Sequence, residues 1–122
     1  MYENEKAFVA ALVAKLRKQK YFVTYIETGK VTLGVPDLYV CNKEEQVWIE
    51  AKRVWQKFNA KKIVQVPWRP GQQAWSLKHY KASGVPVLIF CCFNDCVKVL
   101  EYKKFYEDDL VPVTDFIDYK WS

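Results

Sequence analysis

Apolar residues in the opening segment recur at helical spacing. Phe8, Leu12 and Leu16 form one stripe with Val9 and Val13 beside it, which predicts an amphipathic helix over residues 3–18. The period then shortens. Residues 21–26, 36–41 and 46–53 are runs rich in β-branched and aromatic side chains, and each predicts a strand. Glu27 to Leu33, with Gly29, reads as a turn or short connection, while Asn42-Lys43-Glu44-Glu45 is a polar turn joining the second and third strands as an antiparallel hairpin. Pro70 and Gly71 open a second helix that runs to Ser83 and ends at Gly84. Residues 85–93 are nearly all apolar, as expected of a central strand buried on both faces. Asn94-Asp95 turns the chain into another strand over 97–102, and Lys103 to Asp109 is expected to form a short helix. Helix, three strands, helix, two strands predicts an α/β fold: a mixed central sheet flanked by helices, in one domain spanning 1–122.

The hairpin carries the chemistry. Side chains alternate faces along a strand, so Glu50 and Lys52 share one side while Ile49 and Ala51 take the other. Cross-strand pairing brings Asp37, at the start of one strand, near Glu50 on its partner. Two carboxylates at close range repel unless a proton or a cation lies between them. Mg²⁺, or Mn²⁺ in its place, suits such a pair, because a hard cation binds one or two carboxylates and keeps waters for substrate oxygens. The Ala51 backbone carbonyl offers a further ligand. Lys52 then lies beside the metal-bound water, where its ammonium stabilises charge on a phosphate. Hydrolysis of a phosphodiester is the expected reaction.

Charge reinforces this expectation. Residues 51–94 carry eight basic side chains and no acidic one, so the whole net charge of +5 arises directly behind the acidic hairpin. A one-signed stretch of this kind attracts a polyanion. Arg53, Lys57, Lys61, Lys62 and Arg69 are the expected DNA contacts, with Trp55, Phe58 and Trp68 interleaved either as stacking surfaces for bases or as cover for a small core. Residues 95–122 are instead acidic, a tail that caps the fold or meets another protein.

Other chemistries find little support. Cys41, Cys91, Cys92 and Cys96 fall mostly in apolar runs, and the single histidine, His79, has no cysteine near it in sequence, so buried reduced thiols are expected in preference to a zinc site. No Ser-His-Asp arrangement or glycine-rich phosphate loop is evident. No stretch is long enough to span a membrane and no leader is recognisable, so a cytoplasmic protein is expected.

Gly34-Val35-Pro36-Asp37 followed by Glu50-Ala51-Lys52 resembles the signature of the PD-(D/E)XK nuclease superfamily, the restriction-endonuclease-like fold. Two further segments are similar to its VRR-NUC type, small stand-alone proteins of phages and bacteria: Glu5 with Leu16 and Tyr21 in and after the first helix, and Arg69-Pro70-Gly71-Gln72-Gln73-Ala74-Trp75 at the second. The resemblance covers roughly residues 3–93 and implies an αβββαβ core. It implies a metal-dependent endonuclease in which Asp37 and Glu50 are metal ligands and Lys52 is the catalytic amine. Glu5 would reach the metal through water, and Gln72 would organise the site. It also implies a homodimer acting on Holliday junctions or other branched DNA. Lys20 departs from the family pattern, standing where a glycine usually precedes the first strand. The connection from Val54 to Trp68 is longer and more basic than a minimal one, as a mobile substrate-binding loop would be. Leu110 to Val113 and Trp121 are candidates for a dimer surface. Two other readings stay open: a nucleic-acid-binding protein on the same fold that does not cut, and a protein that binds a protein partner through its exposed aromatics and acidic tail.

Overall fold

Asn4 starts the first helix: its Oδ1 accepts from the Ala7 amide at 2.8 Å, so α1 runs Glu5–Lys18 with Glu5 as its first residue. The computed structural model describes residues 1–26 and 33–121. At the far end of α1, the Lys20 amide donates to the Arg17 carbonyl and the Tyr21 amide to Leu16, while Lys20 takes a φ of 74°. This Schellman ending needs a left-handed residue, which explains why a glycine would be favoured where this chain carries lysine.

The remaining elements are β1 (Phe22–Tyr25), β2 (Leu38–Cys41), β3 (Gln46–Arg53), β4 (Ile63–Gln65), α2 (Gln72–Ser83), β5 (Val87–Cys92), β6 (Val97–Tyr102), β7 (Leu110–Pro112) and β8 (Phe116–Asp118). Six strands form one sheet in the order β1-β2-β3-β5-β6-β8, parallel between β3 and β5 and antiparallel elsewhere. The expected αβββαβ core and mixed sheet are therefore present. α1 covers one face through Phe8, Leu12, Val13 and Leu16 against Leu38, Val40, Ile49, Ala51 and Phe90. α2 lies over the other, where Ile89, Cys91, Leu100 and Tyr102 form the core with Val64, Val66 and Val111. Cys91 and Cys92 are buried free thiols, and Cys41 and Cys96 are half-buried ones.

Three local expectations differ from the structure. The connection after β3 is structured over much of its length: a 3₁₀ turn at Phe58–Ala60 leads to β4, which pairs with β7 as a second, two-stranded sheet. Lys103 to Asp109 forms no α-helix beyond a 3₁₀ turn at Glu107–Asp109, because Asp108 and Asp109 both adopt left-handed backbone in a run of three like charges. The acidic tail supplies β8 to the sheet edge. Of the dimer-surface candidates, Trp121 is half-buried and packs on Phe8 and Tyr2 at 5.4 and 5.9 Å, and in the run from Leu110 to Val113 Val111 is fully buried while Leu110 and Pro112 are exposed. The turn expected over Glu27 to Leu33 lies, except for Leu33, outside the described residues.

Candidate active site

The hairpin turn sets the geometry. Asn42 Oδ1 accepts from the amides of Glu44 and Glu45, both at 2.9 Å, which closes the turn and pairs Leu38 with Ile49. Asp37 therefore comes to Glu50. The Asp37 amide donates to Glu50 Oε1 at 3.1 Å, and the Ala51 amide lies at the hydrogen-bond limit, 3.5 Å, from Asp37 Oδ2. Glu50 and Lys52 share the α2 face of β3, as alternation requires, and pair at 3.2 Å with side chains only 2 % and 1 % exposed.

A second backbone approach brings α2 to the hairpin. Gly34 has a φ of 87°, and a Cβ built on it would lie 2.1 Å from the Gly71 carbonyl oxygen, so only glycine lets the loop before Asp37 sit against the start of α2. Gln72, buried, turns its Oε1 back to accept from the Arg69 amide at 2.8 Å. Arg69 then reaches over the hairpin. Its Nη2 lies 3.0 Å from Asp37 Oδ1 and 3.1 Å from Glu50 Oε2, bridging the two carboxylates. Arg69 was expected to face DNA; the structure shows its guanidinium engaged with the two acids, although the side chain remains 55 % exposed.

The electrostatics follow from burial. Burial pushes the Glu50 carboxyl above its usual range, against the pull of Lys52, with Asp37 adding to the rise. Gln72 Nε2, buried beside the cluster, has no hydrogen-bond acceptor among the described residues. Glu5 is also raised by burial, opposed chiefly by Lys52. Partial burial disfavours the charged Arg69, but Glu50 and Asp37 outweigh it and hold the guanidinium above its ordinary value. Glu5 thus shares the field of the cluster. Among the described residues, no group of three or more acidic, cysteine or histidine side chains gathers closely enough to ligate one ion.

A hard cation fits this donor set. Asp37 Oδ1 and Glu50 Oε2 converge on a single point, since one nitrogen of Arg69 already contacts both. The pair alone meets the usual carboxylate complement of Mg²⁺.

Arg53 requires a correction. Expected to contact DNA, it is buried and four of its five N–H donors are committed: Nε to the Tyr2 carbonyl at 2.7 Å, Nη1 to the Val54 and Cys92 carbonyls at 2.9 and 3.0 Å, and Nη2 to Asn94 Oδ1 at 2.9 Å. Strand alternation explains the difference from Lys52, because adjacent residues on β3 face opposite ways. Lys57, Lys61 and Lys62 are exposed. Phe58 packs on Phe93 and Phe116, and Trp68 on Tyr102, so both serve the core, whereas Trp55 is 65 % exposed. Composition hides the Arg69 bridge and the Gly34–Gly71 contact; the paired glycines beside Asp37 and Gln72 were the available signal.

No family profile matches the chain, and no curated protein matches it in sequence. Among solved structures it is similar to Hjc of Archaeoglobus fulgidus, a Holliday junction resolvase from an archaeal hyperthermophile, with a TM-score of 0.62 and 11 % identity over 89 % of this chain and 88 % of that one. That likeness establishes the fold, which is the restriction-endonuclease-like architecture expected from the sequence. Among the described residues no helix is long and apolar enough to cross a membrane.

Proposed function

We propose that this chain is a divalent-metal-dependent endonuclease that hydrolyses DNA phosphodiester bonds, with selectivity for branched DNA such as Holliday junctions. One observation carries the reading: Asp37 and Glu50 meet around one cationic nitrogen, with the buried Lys52 ammonium 3.2 Å from Glu50. Asp37 and Glu50 would hold Mg²⁺ or Mn²⁺, aided by the Ala51 carbonyl and by Glu5 through water. A bound ion of this kind supplies an activated water and neutralises phosphate charge. Lys52 contributes a fixed ammonium at the water and the phosphate, where a preorganised charge favours the transition state. Gln72 holds the Arg69 backbone and so positions its guanidinium, which is free to move to phosphate once the carboxylates take another cation. Lys57, Lys61 and Lys62 meet the backbone of the nucleic acid.

The similarity to a protein described as a Holliday junction resolvase supports the branched substrate and, because a junction is cut on two strands, a homodimer. VRR-NUC membership and a phage or bacterial cytoplasmic setting rest on the sequence resemblance. A non-cleaving nucleic-acid-binding protein is the second reading, favoured by the Arg69 bridge across the acidic pair.

Labelled four-way junction, flap, duplex and single-stranded DNA, each incubated with protein and Mn²⁺, separate the two. Cleavage is expected on branched substrates, and Lys52→Ala is expected to lower its rate by about 10²- to 10³-fold, the scale for loss of one preorganised charge. Because Lys52 is buried, the comparison is made below the melting temperature of both proteins. Wild type and variant cutting alike, or neither cutting any substrate, overturns the reading.

A further inference from the structure

We propose that a cavity beside the candidate site takes an unpaired nucleobase of the DNA, stacked on Trp55. The proposal rests on the nucleic-acid reading and deepens it, because it names what makes a branched substrate different from a duplex.

The platform is rigid. Arg53 makes four hydrogen bonds at 2.7 to 3.0 Å, three of them to backbone carbonyls, so its guanidinium plane is fixed. The Trp55 ring lies over that plane, 3.9 Å from centroid to guanidinium carbon, while the indole stays 65 % exposed. One face is therefore held by a cation and the other is open. Aromatic faces of this kind stack bases without regard to sequence. Arg53, buried and hydrogen-bonded within the fold, serves as the support.

The cavity decides what is stacked there. It has a volume of about 610 Å³, within the range of small-molecule sites, and Asn4, Glu5, Trp55, Gln65, Pro67 and Asp109 are among its lining residues. Its acidic members are Glu5 and Asp109, and its one basic member, Arg53, has four of its five N–H donors committed within the fold. Such a lining repels a phosphate. It suits a neutral planar ring with amino groups to donate, as adenine, cytosine and guanine have. Phosphate-binding charge stands outside, in the exposed Lys57, Lys61 and Lys62 that follow Trp55 in the chain. Glu5 belongs both to the cavity and to the field of Lys52 and Asp37, so the cavity adjoins the candidate site. A base-paired duplex has no ring to insert. A flap, a junction arm or a single strand has one.

Binding is measured by anisotropy in EDTA, where no cleavage occurs, with a labelled duplex, the same duplex bearing a short single-stranded flap, and that flap made of abasic nucleotides. Wild type is expected to prefer the flap. Trp55→Ala should lose about tenfold in flap affinity and leave duplex affinity and melting temperature unchanged, whereas Trp55→Phe retains most of the preference. Abasic nucleotides should cost wild type the same factor and cost Trp55→Ala nothing more. Unchanged flap affinity in Trp55→Ala, or an equal loss on duplex, overturns the proposal. So does an RNA flap that depends on Trp55 when the DNA flap does not. Since no divalent ion or cleavage enters this assay, its failure leaves the nuclease reading intact, and failure of the Lys52→Ala cleavage test leaves this one intact.

Discussion

The two faces of the central sheet are built on different principles. On the α1 face the buried side chains are apolar apart from Arg53 at the end of β3, from Phe8 and Leu12 to Ile49, Ala51 and Val99. On the α2 face the buried set also includes Glu50, Lys52, Gln72, Gln73 and Ser76. Gln73 is fully satisfied there: its Nε2 donates to the Tyr106 carbonyl at 2.9 Å, and its Oε1 accepts from Tyr102 Oη and the Tyr106 amide, both at 2.8 Å. Glu50 and Lys52 instead pair with each other and open toward Asp37 and Arg69. Burying charge gains little stability even when it is paired. The α1 face therefore holds the fold together, and the α2 face, at the end near Asp37, keeps charged groups dry and in place.

That division predicts separable effects. The largest should come from the apolar side: Leu12→Ala, at a fully buried position, is expected to cost about 2–5 kcal/mol in denaturant unfolding while the folded fraction keeps its metal affinity. Metal affinity falling in step with stability would show the two faces to be one cooperative unit. Gly34→Ala should act in the opposite sense. Its Cβ cannot be placed against the Gly71 carbonyl, so the cost is about 1–3 kcal/mol of backbone strain, and the displaced Asp37 loop should weaken Mn²⁺ binding in calorimetry beyond what the stability change explains. Unaltered Mn²⁺ binding would mean that the hairpin register alone sets the acids.

The apolar face was far more legible in the sequence than the polar one. Phe8, Leu12 and Leu16 announce α1 by their spacing, and the apolar run over residues 85–93 announces β5, because burial on one face leaves a period and burial on both leaves an unbroken run. α2 leaves no such trace, since its buried residues are Gln72, Gln73 and Ser76; it was found from Pro70, Gly71 and Gly84 at its ends. The pairing of Asp37 with Glu50 could be anticipated from alternation and a four-residue turn, both local rules. What Arg69, Arg53 and Trp55 touch could not. Each depends on contacts more than 15 residues away or on which side of β3 the chain emerges, and basic residues look alike until their acceptors are known. β4, β7 and β8 leave no trace in the pattern, because three-residue strands are too short to display a period.

Arg69 sharpens the comparison further, because it is the polar face's own cation. Arg69→Ala is expected to raise Mn²⁺ affinity by about three- to tenfold in the absence of DNA, since a partly exposed ion pair contributes on the order of 1 kcal/mol. Without divalent ions the same variant should melt lower than wild type, and Mn²⁺ should narrow the gap, because either cation relieves the repulsion between Asp37 and Glu50. Equal Mn²⁺ affinity in the two proteins would mean that the guanidinium and the metal do not compete for one place.

The smallest effect per residue belongs to the exposed lysines, which lie on neither packed face. Each phosphate contact on duplex DNA contributes about 0.9 to the slope of log affinity against log salt, so replacing Lys57, Lys61 and Lys62 together should flatten that slope by as much as about 2.7. Melting temperature should hardly change, because all three side chains are exposed. Arg53→Lys provides the contrast: it keeps the charge but loses the planar set of donors that joins Tyr2, Cys92 and Asn94, so it should lower stability and leave the salt slope alone. If the slope fell with Arg53→Lys and held with the triple lysine variant, the phosphate backbone would run along β3 itself, and the buried guanidinium would have to turn outward to meet it.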